Sequence, residues 1–365
     1  MSAADGMMVV MEISALRSER LRSHRLTAPA RTPAAAARHL LAVQSQEFWA
    51  GRWALAARSS GEPTLRQVDR LFDRGVLVRA WTQRGTLHVV PAEDLEWMLQ
   101  VTGERQLKMA APRYRELGLG ADEHARVEHA VMSALAGGNA LTRAELFALV
   151  AGVGIDPAGQ RGGHAVQHLA LRGLICQGPL VHRDGAVARE QRFVRVDELA
   201  ATAVRPADPA AEMFVRYAIG HGPVTAEDFA WWAGITLGAA RAAAAAGAGD
   251  ERVLEIDEGR FIGARRPRRS ASAASVHALG AFEELYISYQ DRSPAGPERV
   301  RRLIGPSANG MVRPIIVRDG EIVGAWAQST AVGRHADEPR VELFDDVDAE
   351  AVRAALARYT AFVTG

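Results

Sequence analysis

The chain has 365 residues, 48 % hydrophobic and 24 % charged, with a formal net charge of +1; this is ordinary globular composition, long enough for about two to four units that each bury a core. So even a balance excludes a whole-molecule basic field, so a nucleic-acid ligand would need basic residues gathered on one face. A single cysteine, Cys176, excludes an internal disulfide and a multi-cysteine zinc site, and Lys108 as the sole lysine leaves almost no amine for Schiff-base chemistry.

The first dozen residues, with Asp5 and Glu12 flanking Met7 to Met11, are too short an apolar run for a signal peptide or a membrane span. A soluble cytoplasmic, nucleoid-associated protein is expected, with no membrane partner. Helical structure is predicted from near Ser14. Helices follow over 33–45, 49–58 and 64–74, the last opened by a capping box of Thr64 and Gln67. Strands at 77–82 and 86–90 flank Gln83-Arg84-Gly85, a hairpin signal, and 92–115 reads as helix again.

The same order recurs. Helices are predicted at 122–136, 142–151 (Thr142 and Glu145 at capping-box spacing) and 160–172, then strands 174–182 and 187–196 turning at Arg183-Asp184-Gly185. A third round has helices near 208–220, 225–233 and 236–246, and strands 253–256 and 260–262 around Asp257-Glu258-Gly259. Three helices followed by a hairpin wing is the winged-helix arrangement, and its repetition is the informative feature. Residues 265–275 turn abruptly basic and small, as in a linker. Strands are then expected at 311–318, 321–328 and 340–344, with a closing helix at 347–362. The predicted fold is α+β, mainly α: winged-helix units over 12–117, 118–204 and 205–266, then 267–365 as linker, β-rich barrel-like domain and terminal helix.

Within the first unit the chain reads Leu41-Ala42-Val43-Gln44-Ser45-Gln46-Glu47-Phe48-Trp49. Helical neighbours at i and i+2 sit about 200° apart and cannot serve one site. Gln44 and Gln46 therefore converge only if the helix ends or bends here. The plain alternative is a polar helix end wetted by solvent.

Around this pair the sequence resembles the AlkZ/YcaQ-type winged-helix DNA glycosylases. The matching pieces are Ala42-Val43-Gln44-Ser45-Gln46, Trp81-Thr82-Gln83-Arg84-Gly85-Thr86-Leu87-His88, and His221-Gly222-Pro223-Val224-Thr225 running into Asp228-Phe229-Ala230-Trp231-Trp232. Ala281-Phe282-Glu283-Glu284, Tyr289-Gln290-Asp291-Arg292 and the hairpin Ile316 to Gly324 complete the set, in the family's order. The resemblance implies three tandem winged helices with a C-terminal β-rich domain, a concave DNA-binding surface, and a Gln-x-Gln catalytic signature at Gln44 and Gln46. Ser45 stands where the family usually has an apolar residue. Glu283-Glu284-Leu285 with Gln290 varies a stretch more often Asp-Glu-Tyr with a Lys, which bears either on DNA contacts or on the domain junction.

The chemistry of two amides narrows the substrate. Cutting a glycosidic bond ordinarily takes one acid for the leaving group and one base or nucleophile. An amide does neither well, because it does not titrate near neutral pH. A Gln/Gln site suits a base that is already cationic, such as an N7-alkylated purine, which departs neutral. Gln46 would orient the attacking water through its carbonyl oxygen and Gln44 would steady it, a positioning contribution. The resemblance points the same way, to bulky or crosslinked N7-alkylguanine adducts, in repair or in self-resistance to an alkylating antibiotic. A hydrolase of this kind needs no cofactor and no metal.

DNA contacts are expected from arginines and hairpin tips: Arg84 at the first turn, Trp81 and His88 on its strands, Arg292, and Arg265, Arg266, Arg268 and Arg269 of the basic stretch. Core packing is the competing account for Trp81 and His88, and a solvated linker for the basic stretch. Arg161, His164, His168 and Arg172 share a helical face that offers a second DNA-facing candidate. The alternative function is a non-catalytic winged-helix DNA-binding protein or transcriptional regulator, since fold alone does not settle function. Three tandem units let the chain act on double-stranded DNA as a monomer, whereas regulators usually dimerise.

Overall fold

The computed structural model describes residues 11–183, 188–199, 202–257, 259–265, 276–327 and 339–365. The first helices are α1 (Ile13–Ser23) and α2 (Pro33–Leu40). Thr32 caps α2 by accepting the Ala35 N–H at 3.1 Å, and Pro33 stands at the first helical position. The helix expected over 33–45 ends at Leu40, earlier than the sequence reading placed it. Leu41 adopts a left-handed backbone (φ 66°) while its side chain is wholly buried, so packing holds a conformation leucine rarely takes. That reversal throws the chain into the short strand β1 (Val43–Gln44).

Helices α3 (Phe48–Ala57) and α4 (Leu65–Asp73) follow, the latter with the expected Thr64/Gln67 capping box. The hairpin β2 (Leu77–Trp81) and β3 (Leu87–Pro91) turns through a 3-10 segment at Gln83–Gly85, and α5 (Leu95–Glu116) leads onward. The second round supplies α6 (Ala121–Leu135), α7 (Arg143–Gly152), α8 (Arg161–Leu171), β4 (Ile175–Leu180) and β5 (Gln191–Arg195). The third supplies α9 (Pro209–His221), α10 (Ala226–Ala233), α11 (Leu237–Gly247), β6 (Val253–Asp257) and β7 (Arg260–Gly263). Asp184 and Gly185 of the second turn, Glu258 of the third, and 266–275 of the basic stretch lie outside the described residues.

The last region begins with β8 (Val276–Leu279), a short continuous buried run that the sequence reading missed. After it come α12 (Glu284–Ile287), α13 (Glu298–Ile304), β9 (Ile315–Arg318), β10 (Glu321–Ala327), β11 (Arg340–Leu343) and α14 (Ala349–Thr364). Its sheet is antiparallel in the order β11-β10-β9-β8. The two outer strands do not meet, so the barrel-like expectation is corrected to an open sheet: among the described residues none closes. Its inner side is instead covered by aromatics from elsewhere. Trp53 of α3 lies 5.3 Å from both Tyr359 and Phe362 of α14, and its Nε1 donates to Ala278 O at 2.8 Å.

Two further joins place the site. The first and second hairpins are not separate wings: they meet at Arg79 and Gln177 to form one five-stranded sheet, β1-β3-β2-β4-β5. A second apolar core then packs Trp97 and Met98 of α5 against Phe214, Phe229 and Trp232 of the third round. The Gln44–Gln46 segment is thus bordered by all three helix-and-hairpin rounds and by the Glu283-Glu284 corner. No helix among the described residues is long and apolar enough to cross a membrane.

Candidate active site

Strand β1 pairs with β3 so that Val43 faces Val89 and Gln44 faces His88. Cross-strand partners share a face, so the Gln44 and His88 side chains project to the same side of the sheet. Gln44 is buried. Its Oε1 accepts from Arg84 Nη2 at 2.8 Å, and its backbone N–H donates to Glu284 Oε1 at 2.6 Å. Arg84 sits on a left-handed turn (φ 52°) and also donates to Trp232 O at 2.6 Å. Phe282, ahead of the Glu283-Glu284 corner, is left-handed as well (φ 56°). With Leu41, three non-glycine residues at positive φ thus lie within three positions of Gln44 or among the groups that lead to its partners, and such strain recurs at functional sites.

Glu284 is fully buried, and its other carboxylate oxygen accepts from Trp232 Nε1 at 3.3 Å and from the Ser288 hydroxyl. His221 Nε2 lies 3.5 Å away. Burial pushes the Glu284 pKa up, but the His221 contact and the nearby His88 and Arg84 outweigh it and hold it at about 2. His88 Nδ1 is 3.0 Å from Thr82 Oγ1 and 3.1 Å from Thr86 O. Burial, with the Arg84 cation adding to it, brings the His88 pKa down to about 3. The shell behind Gln44 at neutral pH is therefore a fixed carboxylate, a fixed guanidinium and a neutral imidazole.

The motif's turn is clamped from the other side. Arg79 donates to Ser45 O at 2.8 Å, Gln46 O at 3.2 Å and Gln177 Oε1 at 2.9 Å. Ser45 is buried, its N–H bonded to Leu87 O at 2.7 Å. It packs so tightly on α3 that a Cβ built on Gly51 would lie 2.3 Å from Ser45 Oγ, so a small residue facing a glycine is required here. Gln46 is exposed. Its Oε1 accepts weakly from Leu87 N–H at 3.4 Å and its side chain borders a cavity of about 430 Å³ between the first and second rounds.

The expected bend at the glutamines is present, and the two amides differ sharply in setting: Gln44 is locked from behind, Gln46 is open to solvent. No hydrogen bond joins them among the described residues. Trp81 is half-buried on the cavity wall. Arg84 and His88 do not fit the expectation of phosphate contacts. His88 is fully enclosed, and the Arg84 guanidinium is committed to Gln44 and Trp232. Arg292 lies 5.1 Å over both the Trp231 and Tyr286 rings. Arg265 is exposed; Arg266, Arg268 and Arg269 lie outside the described residues. On the Arg161-to-Arg172 face, half-buried His168 stacks on His124 at 3.6 Å, and exposed Arg172 pairs with Glu128. Arg79, Trp232 and Glu284 were missed as site residues, although the last two lie inside motifs that carried the family resemblance. Trp231 is partly exposed, unlike its core neighbour Trp232, and its Nε1 donates to Ile287 O at 2.8 Å.

Comparison with known proteins gives a family model, DNA glycosylase AlkZ-like, matching residues 37–362. An interstrand DNA cross-link repair glycosylase of Streptomyces sahachiroi is 25 % identical over 302 residues, covering 79 % of this chain and 80 % of that protein. The solved structure of Streptomyces sahachiroi DNA glycosylase AlkZ superposes with a TM-score of 0.75 at 20 % identity, covering 97 % of this chain and 98 % of that one.

Proposed function

Since this chain belongs to the AlkZ-like DNA glycosylase family, we propose that it hydrolyses the N-glycosidic bond of cationic N7-alkylated purines in double-stranded DNA, bulky or crosslinked adducts included, with Gln44 and Gln46 placing the water. The observation that carries this reading is the asymmetric setting of the two amides. Gln44 Oε1 is held by Arg84 and its backbone by Glu284, while Gln46 is exposed at the edge of a cavity, its Oε1 holding only a long bond from the Leu87 N–H. Neither amide supplies a proton, so the leaving base must need none, which is the property of an N7-alkylated purine. A water oriented by Gln46 bonds to the sugar carbon as the carbon–nitrogen bond breaks. The bonding pair leaves with the base, which departs neutral, and the proton shed by the added water passes to solvent. The buried Glu284 carboxylate favours the positive charge that develops on the sugar.

The division into units at 12–117, 118–204 and 205–266, with 267–365 closing the chain, is part of the same reading, as is action by a monomer. Trp81 belongs to the cavity, and Arg292 and Arg265 to the DNA-facing surface; Arg266, Arg268 and Arg269 are assigned to DNA on their charge in the sequence alone. The Streptomyces relative is named for interstrand crosslink repair, which makes crosslinked duplexes the first extended substrates to try. The deciding experiment incubates duplex DNA containing N7-methylguanine with wild type and Gln46→Ala and scores abasic sites, with DNA affinity measured alongside. Base release by wild type and a loss of about 100-fold in the variant at unchanged affinity is the expected result. Equal rates would remove Gln46 from the chemistry, and binding without release from any cationic lesion would favour the regulator.

A further inference from the structure

Gln46 opens onto a cavity whose charges do not balance. Arg79, Arg143 and Arg189 line it against one glutamate, Glu190, which itself lies 3.7 Å from Arg183. Among the described residues no other acidic side chain lines it. Its volume of about 430 Å³ falls in the ~300–1,000 Å³ range of ligand-enclosing pockets, ample for one sugar–phosphate unit of a nucleic-acid strand.

Arg79 is half-buried, and its hydrogen bonds go to neutral carbonyl oxygens: those of Ser45, Gln46 and the Gln177 side chain. They satisfy its N–H groups without cancelling its charge. Burial brings its pKa down to about 10, with the Arg52 cation adding to the effect and Glu47 opposing it. A guanidinium withdrawn from water without a counter-anion is costly, and the cavity it lines has room for one. Arg143 opens α7 at its first helical position, where a cation opposes the helix dipole. It is exposed, lies 4.9 Å over the Phe147 ring and has no acidic partner among the described residues. Helix stability therefore does not explain an arginine there. Arg189 is exposed on the same lining and adds to the positive field felt by Arg52.

We propose that this cavity holds the backbone beside the target nucleotide: a phosphate flanking it on the lesion-bearing strand, gripped by Arg143 and Arg189 at the rim and met by Arg79 from within. Phosphate is the anion that duplex DNA supplies at every nucleotide, and the planar guanidinium fork matches its oxygens two at a time. Gln46 stands on the same rim. The sugar whose bond is cut therefore lies there, with a phosphate one backbone unit away on either side. Arg79 joins two tasks, because the guanidinium that meets the phosphate also holds the Ser45 and Gln46 carbonyls. Seating the strand and seating the motif turn become one event. Such a contact carries no sequence information, so the pocket fixes register while the lesion's own chemistry selects the base.

This inference rests on the glycosylase reading, and the test separates the two. Arg143→Met and Arg189→Met, singly and together, remove the rim charges and keep apolar stems. Both residues are exposed, so the melting temperature should stay near that of wild type. The probe is a duplex with one non-hydrolysable 2′-fluoro N7-methylguanine, the phosphate on either side of it left natural or replaced by a neutral methylphosphonate. The double variant should lower the slope of log affinity against log salt by about 0.9 if both arginines share one phosphate, and by about 1.8 if they take one each. In wild type, one of the two flanking methylphosphonates should weaken binding about tenfold; in the double variant the same replacement should cost at least about threefold less, since the charge it removes has lost its rim partners.

An equal loss in both proteins would overturn the pocket, because the flanking phosphates would then be held elsewhere. A smaller slope with no coupling at either flanking position would also overturn it, leaving the arginines a diffuse attraction only. So would thermal protection of wild type over the double variant by inorganic phosphate without coupling to the strand, since the cavity would then take a free anion. An ordinary N7-methylguanine duplex reports base release independently. Coupling without release from any cationic lesion would keep the pocket and sink the glycosylase; release without coupling would do the reverse. Failure of wild type to bind the lesion duplex overturns both.

Discussion

The backbone N–H of Gln44 donates to the Glu284 carboxylate at 2.6 Å, across 240 positions of sequence. The contact ties the strand carrying the first glutamine to a corner of the C-terminal region, and the same carboxylate reaches Trp232 of α10. One buried anion thus connects three parts of the chain at the point where Gln44 must be held. Glu284→Ala would strip the acceptor from two buried N–H groups and open a cavity, at a cost of about 3–5 kcal/mol. Glu284→Gln keeps the size and one acceptor but removes the charge. The alanine variant should melt many degrees lower. The glutamine variant should stay folded and show roughly tenfold slower single-turnover base release, with substrate affinity near wild type. A glutamine variant with wild-type turnover would leave Glu284 a structural group only.

Arg84 separates two accounts of an arginine at a hairpin turn. If it works by holding Gln44 Oε1, Arg84→Met should lower the rate of base release by about tenfold to 100-fold and leave the salt dependence of DNA binding unchanged. If it neutralises a phosphate, the slope of log affinity against log salt should fall by about 0.9 instead. The geometry, with both its arms on Gln44 and Trp232, predicts the first outcome. Arg292→Ala is the natural comparison, because that guanidinium lies over two rings without an acidic partner among the described residues and should show the salt effect. Titrations of both variants across a salt series decide between the accounts.

Much of this site was legible in the sequence because its signals are local. Capping residues such as Thr64 and Gln67 act within one helical turn, and the i,i+2 spacing of Gln44 and Gln46 demanded a break in the helix wherever it fell. What escaped notice depends on contacts made across long separations. Nothing near Leu41 announces that its burial in a core shared with the third round would hold it left-handed and end α2 early. Arg84 reads as an exposed turn residue until Trp232 is brought against it. The C-terminal strands carry the alternation of a sheet, but alternation does not say whether a sheet closes, and here Trp49, Trp53 and α14 cover the inner side that a barrel would have hidden.

The Arg58–Glu283 pair lies one residue from the Glu284 corner and is almost wholly buried. His24 Nδ1 stands 3.5 Å from the same guanidinium. Removing one partner strands a charge in the interior, so Arg58→Met alone should cost about 3–5 kcal/mol of stability. The double variant Arg58→Met with Glu283→Leu should recover most of that loss, since replacing both charges by apolar groups is often neutral. Urea denaturation of the single and double variants measures the difference. A double variant no more stable than Arg58→Met would mean that Glu283 contributes mainly by accepting the Leu285 N–H, a 3.1 Å bond.

Acid should destabilise the fold before the carboxylates titrate. Burial holds His88 at about 3 and His277 at about 4, with nearby arginines adding to the effect, and keeps His24 well below its ordinary value. Each is neutral in the folded chain and takes up a proton near pH 6.5 once unfolded. The unfolded state then binds more protons below pH 6.5, so the stabilisation is full above that pH and falls as pH drops towards the folded values. Each such histidine can withdraw up to about 1.4 kcal/mol per pH unit within this window. Asp69 and Asp228, whose pKa values burial raises, work in the opposite sense. Three depressed histidines outweigh them between pH 6.5 and 5.5, so the melting temperature should drop on going from pH 7.5 to pH 5.5. His277 Nε2 has no partner among the described residues, so His277→Leu removes a titrating group without breaking a hydrogen bond at that atom. That variant should show a shallower fall over the same interval. A wild-type melting temperature that holds level or rises on acidification would count against the burial of these imidazoles in neutral form.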